Sequence, residues 1–248
     1  MLPRHGKIEC RACFSGSTSD TTQPHHDWRM INDPGAWGSD SPEFLVLGFS
    51  KGATQAGIYK QGKFEDIAFA GMRTRLTQAL QAMDVLSMDE SSDQKISSPN
   101  SNVAFGSLIR CSVSRRDDKS SEKSGKEIYS CTGALITKSF SEIPQVIKTC
   151  SSRYLSGLPK SVKAVIFLGN SDKYVEGCQA LIQELFPSDF IRVNPMAVRA
   201  NGRVWLHLAH PSGLNGHFNT WLNEDTGSGV KRIQARQAIK AGGWLWEL

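Results

Sequence analysis

Short apolar runs recur along the chain, and each is long enough to form one buried strand. FLVLG (44–48), VAFGSLIRC (103–111) and VKAVIFLGN (162–170) are nearly continuous in their apolar positions, which is typical of strands covered on both faces of a parallel sheet. In VRANGRVWLHLAH (198–210), an Asn-Gly pair separates two extended stretches and predicts a hairpin. The second arm of that hairpin is the fourth predicted strand.

Segments with helical periodicity lie between and after these strands. In AGMRTRLTQALQAMDV (70–85), Met72, Leu76, Leu80 and Met83 fall on one helical face, so we predict an amphipathic helix. The other predicted helices are 142–155 with a Pro near its start, 173–186, FNTWL and VKRIQARQAIKAGG. Strands that alternate with helices predict an α/β fold, a three-layer α/β/α sandwich around a central, mostly parallel four-stranded sheet.

Three polar segments are predicted to be irregular. Residues 14–42 and 87–102 are rich in Ser, Asp, Pro or Asn, and SVSRRDDKSSEKSGKE (112–127) is highly charged, which indicates loops. We therefore expect one domain over 1–248, with an N-terminal extension (1–42) and a charged, mobile insertion (112–139).

The composition fits an ordinary globular protein and adds a mild electrostatic hint. The 248 residues are 39% hydrophobic and 21% charged, with a net charge of +5, so binding to a polyanion such as nucleic acid is permitted. No apolar run approaches the length of a membrane span. The first residues, MLPRHGKIEC, lack an apolar signal segment. We expect a cytoplasmic monomer that does not bind membranes.

Two glycine-rich turns follow predicted strands. GFSKGATQAG (48–57) follows the first strand and HPSGLNGHF (210–218) follows the fourth. Ligands of open parallel sheets bind at the carboxyl ends of the strands, so we expect the two turns to form one pocket. Neither GxxxxGK[ST] nor GxGxxG is present, which disfavours a nucleotide cofactor. His207, within a strand, is read as structural, and the His25–His26 pair as a solvated loop pair rather than a metal site.

The order of these motifs resembles the uracil-DNA glycosylase superfamily over nearly the whole chain. FLVLGFSKG is similar to its first motif and HPSG to its second. AFAG (68–71) resembles the segment whose aromatic residue stacks on the everted base, and VAFGSLIRCSVSRRD and VIFLGN resemble the intervening strands. The resemblance implies a monofunctional glycosylase that acts on double- or single-stranded DNA, everts a nucleotide and leaves an abasic site.

The cysteines extend the resemblance to the iron–sulfur branch of that superfamily. Cys10 and Cys13 form a CxxC pair, Cys111 follows the second strand, and Cys150 lies in a helix just before a Tyr-Leu pair. Four thiolates are the usual ligands of a [4Fe–4S] cluster. Zinc is the alternative metal for a site of four cysteines. Cys131 is an alternative to Cys150 as the fourth ligand. A third possibility is that the four cysteines bind no metal and are buried thiols of the core.

The resemblance also implies roles for individual residues. His210 would donate a hydrogen bond to the leaving base, Phe69 would stack on that base, and the loop that begins at Leu214 would enter the vacated space. The full candidate set is, for catalysis, His210, Ser50, Glu65 and Asp66; for the base, Gly48, Phe49, Phe69 and Ser107; and for the DNA, Lys51, Ser212, Gly213, Leu214, Asn215, His217, Arg115 and Arg116.

Two departures from the family pattern bear on the substrate. The first motif is GFSKG where the iron–sulfur uracil enzymes carry a carboxylate, as in GEAPG, so Glu65 and Asp66 are the nearest substitutes. Ser107, or Gly106, stands where those enzymes place an Asn that reads uracil. A smaller side chain favours a bulkier base, and we expect an anti-phage enzyme that removes glucosylated 5-hydroxymethylcytosine. A uracil or deaminated-base repair enzyme and an inactive DNA-binding module are the alternatives.

Overall fold

The computed structural model describes residues 2–242, and a mixed sheet runs through its centre. The strands in chain order are β1 (Gly6–Lys7), β2 (Thr21–His25), β3 (Trp28–Ile31), β4 (Gly35–Gly38), β5 (Phe44–Gly48), β6 (Val103–Ser107), β7 (Ser112–Arg116), β8 (Tyr129–Ser130), β9 (Ala164–Leu168), β10 (Ile191–Asn194), β11 (Ala197–Ala200) and β12 (Arg203–Leu208). Eight of these strands form the central sheet, in the order β1-β4-β6-β5-β9-β12-β11-β10.

The predicted four-stranded, mostly parallel sheet is wrong as an account of the fold. The four strands anticipated from the sequence, β6, β5, β9 and β12, are parallel neighbours. Antiparallel strands extend the sheet on both sides, β4 and β1 beyond β6, and β11 and β10 beyond β12. The sheet is therefore eight-stranded and mixed. The predicted hairpin is present as the antiparallel pair β11–β12.

The helices cover both faces of this sheet. They are α1 (Ala53–Gln61), α2 (Arg73–Ala82), α3 (Ser92–Ile96), α4 (Asp118–Ser124), α5 (Gly133–Ile136), α6 (Ser139–Glu142), α7 (Pro144–Tyr154), α8 (Asp172–Leu185), α9 (Phe218–Asn223) and α10 (Gly229–Lys240). The predicted helices correspond to α2, α7, α8, α9 and α10. Pro144 opens α7 at the position where its missing N–H costs no hydrogen bond.

Segments expected to be loops contribute a second sheet. The strands β2, β3, β7 and β8 form a four-stranded antiparallel sheet. β2 and β3 come from residues 14–42, which also supply β4 of the central sheet. β7 and β8 come from the charged segment 112–139. The expectation of irregular chain at 14–42 and at 112–127 is therefore wrong, because both segments contain strands.

The alternation of side chains along β5 shows how the core is divided. Phe44 and Val46 lie in one apolar cluster with residues of α2 and α10, whereas Leu45 and Leu47 lie in another with residues of α7 and α8. All four side chains are buried. A strand buried on both faces must be apolar at every position, which explains the continuous run FLVLG. Within residues 2–242, no helix is both long and apolar enough to cross a membrane.

Candidate functional site

The two glycine-rich turns leave the same edge of the central sheet. β5 ends at Gly48 and β12 ends at Leu208, and both strands run parallel to β9, which lies between them. Two strand spacings separate the turns by about 10 Å at their origin. That distance suits a pocket that admits one nucleotide, although the strands concerned are not direct neighbours.

Three of the predicted base-binding residues lie together on one face of that edge. Gly48 is paired with Ser107 across β5 and β6. A Cβ placed on Gly48 would be 3.6 Å from the ring of Phe69, which has a left-handed φ of 53° and an edge-to-face contact with Phe105. Phe69 and Ser107 are buried. The absence of a side chain at Gly48 therefore leaves the aromatic ring in contact with the strand end.

Phe49 does not join this group. Its ring is buried in the other apolar cluster and contacts Tyr174 at a centroid distance of 6.2 Å. Phe69 belongs to the first cluster, so the two rings lie on opposite faces of the sheet. The side chain of Phe49 is a core element, and the expectation that it binds the base is wrong.

The hydrogen bonds of the His-Pro-Ser turn determine which ring nitrogen of His210 carries the proton. The backbone N–H of Ser212 donates to Nδ1 of His210 at 3.2 Å, and the Asn215 amide donates to the His210 carbonyl at 2.8 Å. Burial lowers the pKa of His210, so the imidazole is neutral near pH 7. With Nδ1 acting as an acceptor, the proton resides on Nε2. His210 therefore offers one neutral N–H donor.

The rest of this turn is held by its own side chains and ends in an exposed apolar tip. The Ser212 hydroxyl accepts from the N–H of Leu214 at 3.2 Å, and the Asn215 carbonyl oxygen accepts from the N–H of His217 at 3.1 Å. Leu214 is 91% exposed, and Gly213 and His217 are also exposed. A rigid turn that presents a bare leucine to solvent has the shape of a wedge.

Sequence reasoning missed the contact between this turn and α2. Nη1 of Arg75 donates to the Ser212 carbonyl at 2.8 Å, and its guanidinium lies 5.1 Å from the centre of the Phe218 ring. An open groove runs between residues 71–75 at the start of α2 and Gly213. Phe69 lies four residues before the start of α2, so this part of the chain connects the aromatic residue to the His-Pro-Ser turn. The position of Arg75 on the polar face of a helix gave no sequence signal of this role.

The remaining catalytic candidates are less clearly placed. Glu65 and Asp66 are exposed in a short 3₁₀ turn (Phe64–Asp66). Among the described residues, neither carboxylate bonds to either glycine-rich turn, and that of Glu65 lies 3.7 Å from Nε2 of His5. Ser50 is different, because its hydroxyl oxygen is buried and has no hydrogen-bond partner within residues 2–242. Ser50 is thus the polar group of the first turn that is free to bind a ligand or a water.

Two cations predicted to contact DNA are buried in ion pairs instead. Lys51 is 3% exposed, lies 3.5 Å from Asp33 and donates to the Arg110 carbonyl. Arg115 is 6% exposed and pairs with Asp27 at 3.0 Å and with a glutamate of α6. Arg116 is partly exposed but also pairs with Asp27. The expectation that Lys51 and Arg115 contact a DNA backbone is therefore corrected, because neither ammonium nor guanidinium reaches the surface.

The four predicted ligand cysteines line one cavity on the opposite face of the sheet. Cys10 and Cys13 flank the start of a short 3₁₀ turn (Ala12–Phe14), Cys111 precedes β7, and Cys150 lies in α7. The competitor Cys131 is elsewhere, with its sulfur 3.4 Å from a Cβ placed on Gly52. The structure thus groups Cys150, and not Cys131, with the other three.

The donor chemistry of this cavity suits a metal centre. Four cysteine sulfurs are the usual ligands of a [4Fe–4S] cluster and also of tetrahedral zinc. Among the described residues, no three cysteines have sulfurs that all lie within 4.8 Å of one another. Burial raises the pKa of Cys111 to about 12 and that of Cys150 to about 11, so thiolates there require a compensating metal.

The other histidines do not add a site. His25, His26 and Asp27 have ligand atoms within 4.8 Å of one another. Asp27 is already paired with two arginines, which opposes a further cation. His207 is buried, its Nδ1 lies 2.9 Å from the Gly169 carbonyl, and burial lowers its pKa to about 4. These contacts place His207 in the core.

Comparison with known proteins adds no further assignment: no family model matches the chain, and no curated protein is significantly similar to it.

Proposed function

We propose that the protein is a monofunctional DNA glycosylase that excises a modified base and leaves an abasic site. The observation that carries the proposal is that the end of β5 at Gly48, which lies beside the Phe69 ring, and the turn of the neutral His210 leave the same edge of the central sheet. An aromatic face and a neutral N–H donor are the two groups that a flipped base requires, one for stacking and one for its carbonyl oxygen.

The chemistry follows from the charges that develop as the glycosidic bond breaks. The departing base gains negative charge, which a fixed donor at Nε2 of His210 stabilises without transferring its proton. A neutral donor suits this role because the turn holds it in place before the substrate arrives. The unpartnered Ser50 hydroxyl supports a role for that residue in binding the attacking water. No lysine is placed as a Schiff-base nucleophile, since Lys51 is buried and ion-paired.

The same site supports a base larger than uracil. Ser107 lies directly opposite Gly48, and its short side chain provides neither the two-sided hydrogen bonding nor the bulk of an asparagine. No carboxylate is present in the turn from Gly48 to Gly52. We therefore propose glucosylated 5-hydroxymethylcytosine of phage DNA as the substrate, with uracil and other deaminated bases as the competing class.

The cysteine cavity supports a [4Fe–4S] cluster bound by Cys10, Cys13, Cys111 and Cys150. A cluster bound there would hold three parts of the chain together. Its ligands would come from the N-terminal segment, from the loop between β6 and β7, and from α7. The cavity and the base site lie on opposite faces of the sheet. The residues that would handle DNA are thus separate from those that would hold the cluster.

The function is tested with duplexes that carry uracil, hypoxanthine or glucosylated 5-hydroxymethylcytosine, followed by alkali to break abasic sites. We expect cleavage at the glucosylated base, and loss of at least about tenfold in rate for His210→Ala, in the range of general donor contributions. His26→Ala is the matched control, because His26 is exposed and far from the site in sequence. Binding of all three duplexes without any abasic site would instead identify an inactive binding module.

A further inference from the structure

Arg110 is a buried cation without a partner. It is 2% exposed, and none of its three guanidinium nitrogens has a hydrogen-bond partner among residues 2–242. An arginine stays protonated in proteins, so burial cannot be relieved by loss of its proton. An isolated charge in such surroundings costs several kcal/mol. The position therefore requires an anion close to the guanidinium.

The local fold is shaped to hold this guanidinium. A Cβ on Gly106 would lie 1.7 Å from Nη1 of Arg110, so only a glycine in β6 leaves room for the group. The ring of Tyr154 lies 5.3 Å from the guanidinium carbon. The backbone N–H of Arg110, and not its guanidinium, donates to the sulfur of Cys150 at 3.2 Å, which places the two residues side by side. Arg110 also lines the cavity of the four cysteines.

Neighbouring charged groups do not neutralise Arg110. The buried carboxylate of Asp33 lies 3.5 Å from Lys51 and accepts two hydrogen bonds of 2.6 Å from Ser112. Asp33 therefore balances the charge of Lys51. Within residues 2–242, no carboxylate is hydrogen-bonded to the guanidinium of Arg110. The charge of Arg110 thus remains unbalanced beside the cavity.

We propose that Arg110 is the buried counter-ion of an anionic iron–sulfur cluster and protects that cluster against oxidation. The inference rests on the cluster proposed above. A [4Fe–4S]²⁺ core bound by four thiolates is a dianion, and oxidation by one electron to [4Fe–4S]³⁺ leaves a monoanion. A fixed positive charge stabilises the more negative state. Arg110 therefore raises the reduction potential and makes loss of an electron to an external oxidant less favourable.

The experiment compares the holoprotein with three variants purified without oxygen. Arg110→Met removes the charge and keeps much of the side-chain volume, whereas Arg110→Lys keeps the charge. Arg192→Met is the matched control, because Arg192 is an exposed arginine of β10 and does not line the cavity. Iron and sulfide content, the midpoint potential of the [4Fe–4S]³⁺/²⁺ couple, and the rate of bleaching by ferricyanide are measured.

We expect Arg110→Met to shift the reduction equilibrium at least tenfold toward the oxidised form, about 59 mV for a one-electron couple, and to bleach faster. Arg110→Lys and Arg192→Met should remain near the wild type. If Arg110→Met does not fold, Gly106→Ala displaces the guanidinium and should lower the potential in the same way. Equal potentials in a loaded Arg110→Met protein would overturn the counter-ion role. A wild type without iron and sulfide would instead refute the cluster itself.

Discussion

Leu214 provides the most direct test of the wedge at the His-Pro-Ser turn. The side chain is 91% exposed, so Leu214→Ala costs the folded protein almost no packing. Any loss must arise when the side chain is buried in DNA. Leu→Ala removes three carbon groups at about 0.8 kcal/mol each when fully buried. Incomplete burial between bases brings the loss to about 2 kcal/mol, which is roughly 30-fold in kcat/KM.

The assay compares kcat/KM on duplex and single-stranded substrates that carry the same modified base. In a single strand, an everted base leaves no gap in a stacked duplex for Leu214 to fill. The decrease in kcat/KM should therefore be confined to the duplex substrate. Met88→Ala is the matched control, because Met88 is 83% exposed and does not line the groove. The wedge role is refuted if Leu214→Ala loses equally on both substrates, or if Met88→Ala loses as much on the duplex.

Three further predictions concern the rest of the molecule. Cys150→Ser should lose iron and visible colour, whereas Cys131→Ser should keep both. Metal analysis of the two purified variants checks this prediction. Loss of colour in Cys131→Ser would instead assign Cys131 as a ligand. The folded pKa of His207 is about 4, below the unfolded value of about 6.5, so the unfolded chain binds a proton first. The free energy of unfolding should fall by about 3 kcal/mol as pH drops from about 6.5 to 4, and a flat profile in urea titrations would contradict the buried, neutral ring. Lys51→Met should lower the free energy of unfolding by about 3 kcal/mol, while Lys148→Met, from an exposed ion pair, should change it by less than about 1 kcal/mol.

The parallel core of the sheet was predictable because its strands carry a local signal. FLVLG is apolar at every position, and that pattern survives in any structure that buries both faces. The second sheet was not predictable in this way. β2 has the sequence TTQPH, and β7 reads SVSRR, so neither shows clear alternation. β2 pairs with the adjacent β3, whereas β3 pairs with β7, which lies about 80 residues further along the chain. That long-range pairing and the buried Arg115 ion pairs are absent from any local window of sequence.

The sequence predicted that the turns after Gly48 and before Gly213 leave one edge of the sheet, because each follows an apolar run. Phe69 was expected only from the resemblance of AFAG, and the roles of these residues stay predictions. The burial of Lys51 could not be predicted, because a lysine in a glycine-rich turn is usually exposed, and only the folded chain brings Asp33 beneath it. The burial of Arg110 was likewise not predictable, because in the sequence it is only one basic residue beside a cysteine. Its role depends on Gly106, four positions earlier, which leaves room for its guanidinium.

The separation of the cavity cysteines along the chain has a consequence for biogenesis. Cys10 and Cys150 stand about 140 residues apart, so a shared metal centre closes only after well over half of the polypeptide has left the ribosome. Joining such distant points restricts the unfolded chain enough to add about 5 kcal/mol to stability. That is a large share of the margin of a typical domain. For the cluster proposed above, oxidative destruction would therefore remove this stabilisation and leave the chain more open to proteolysis.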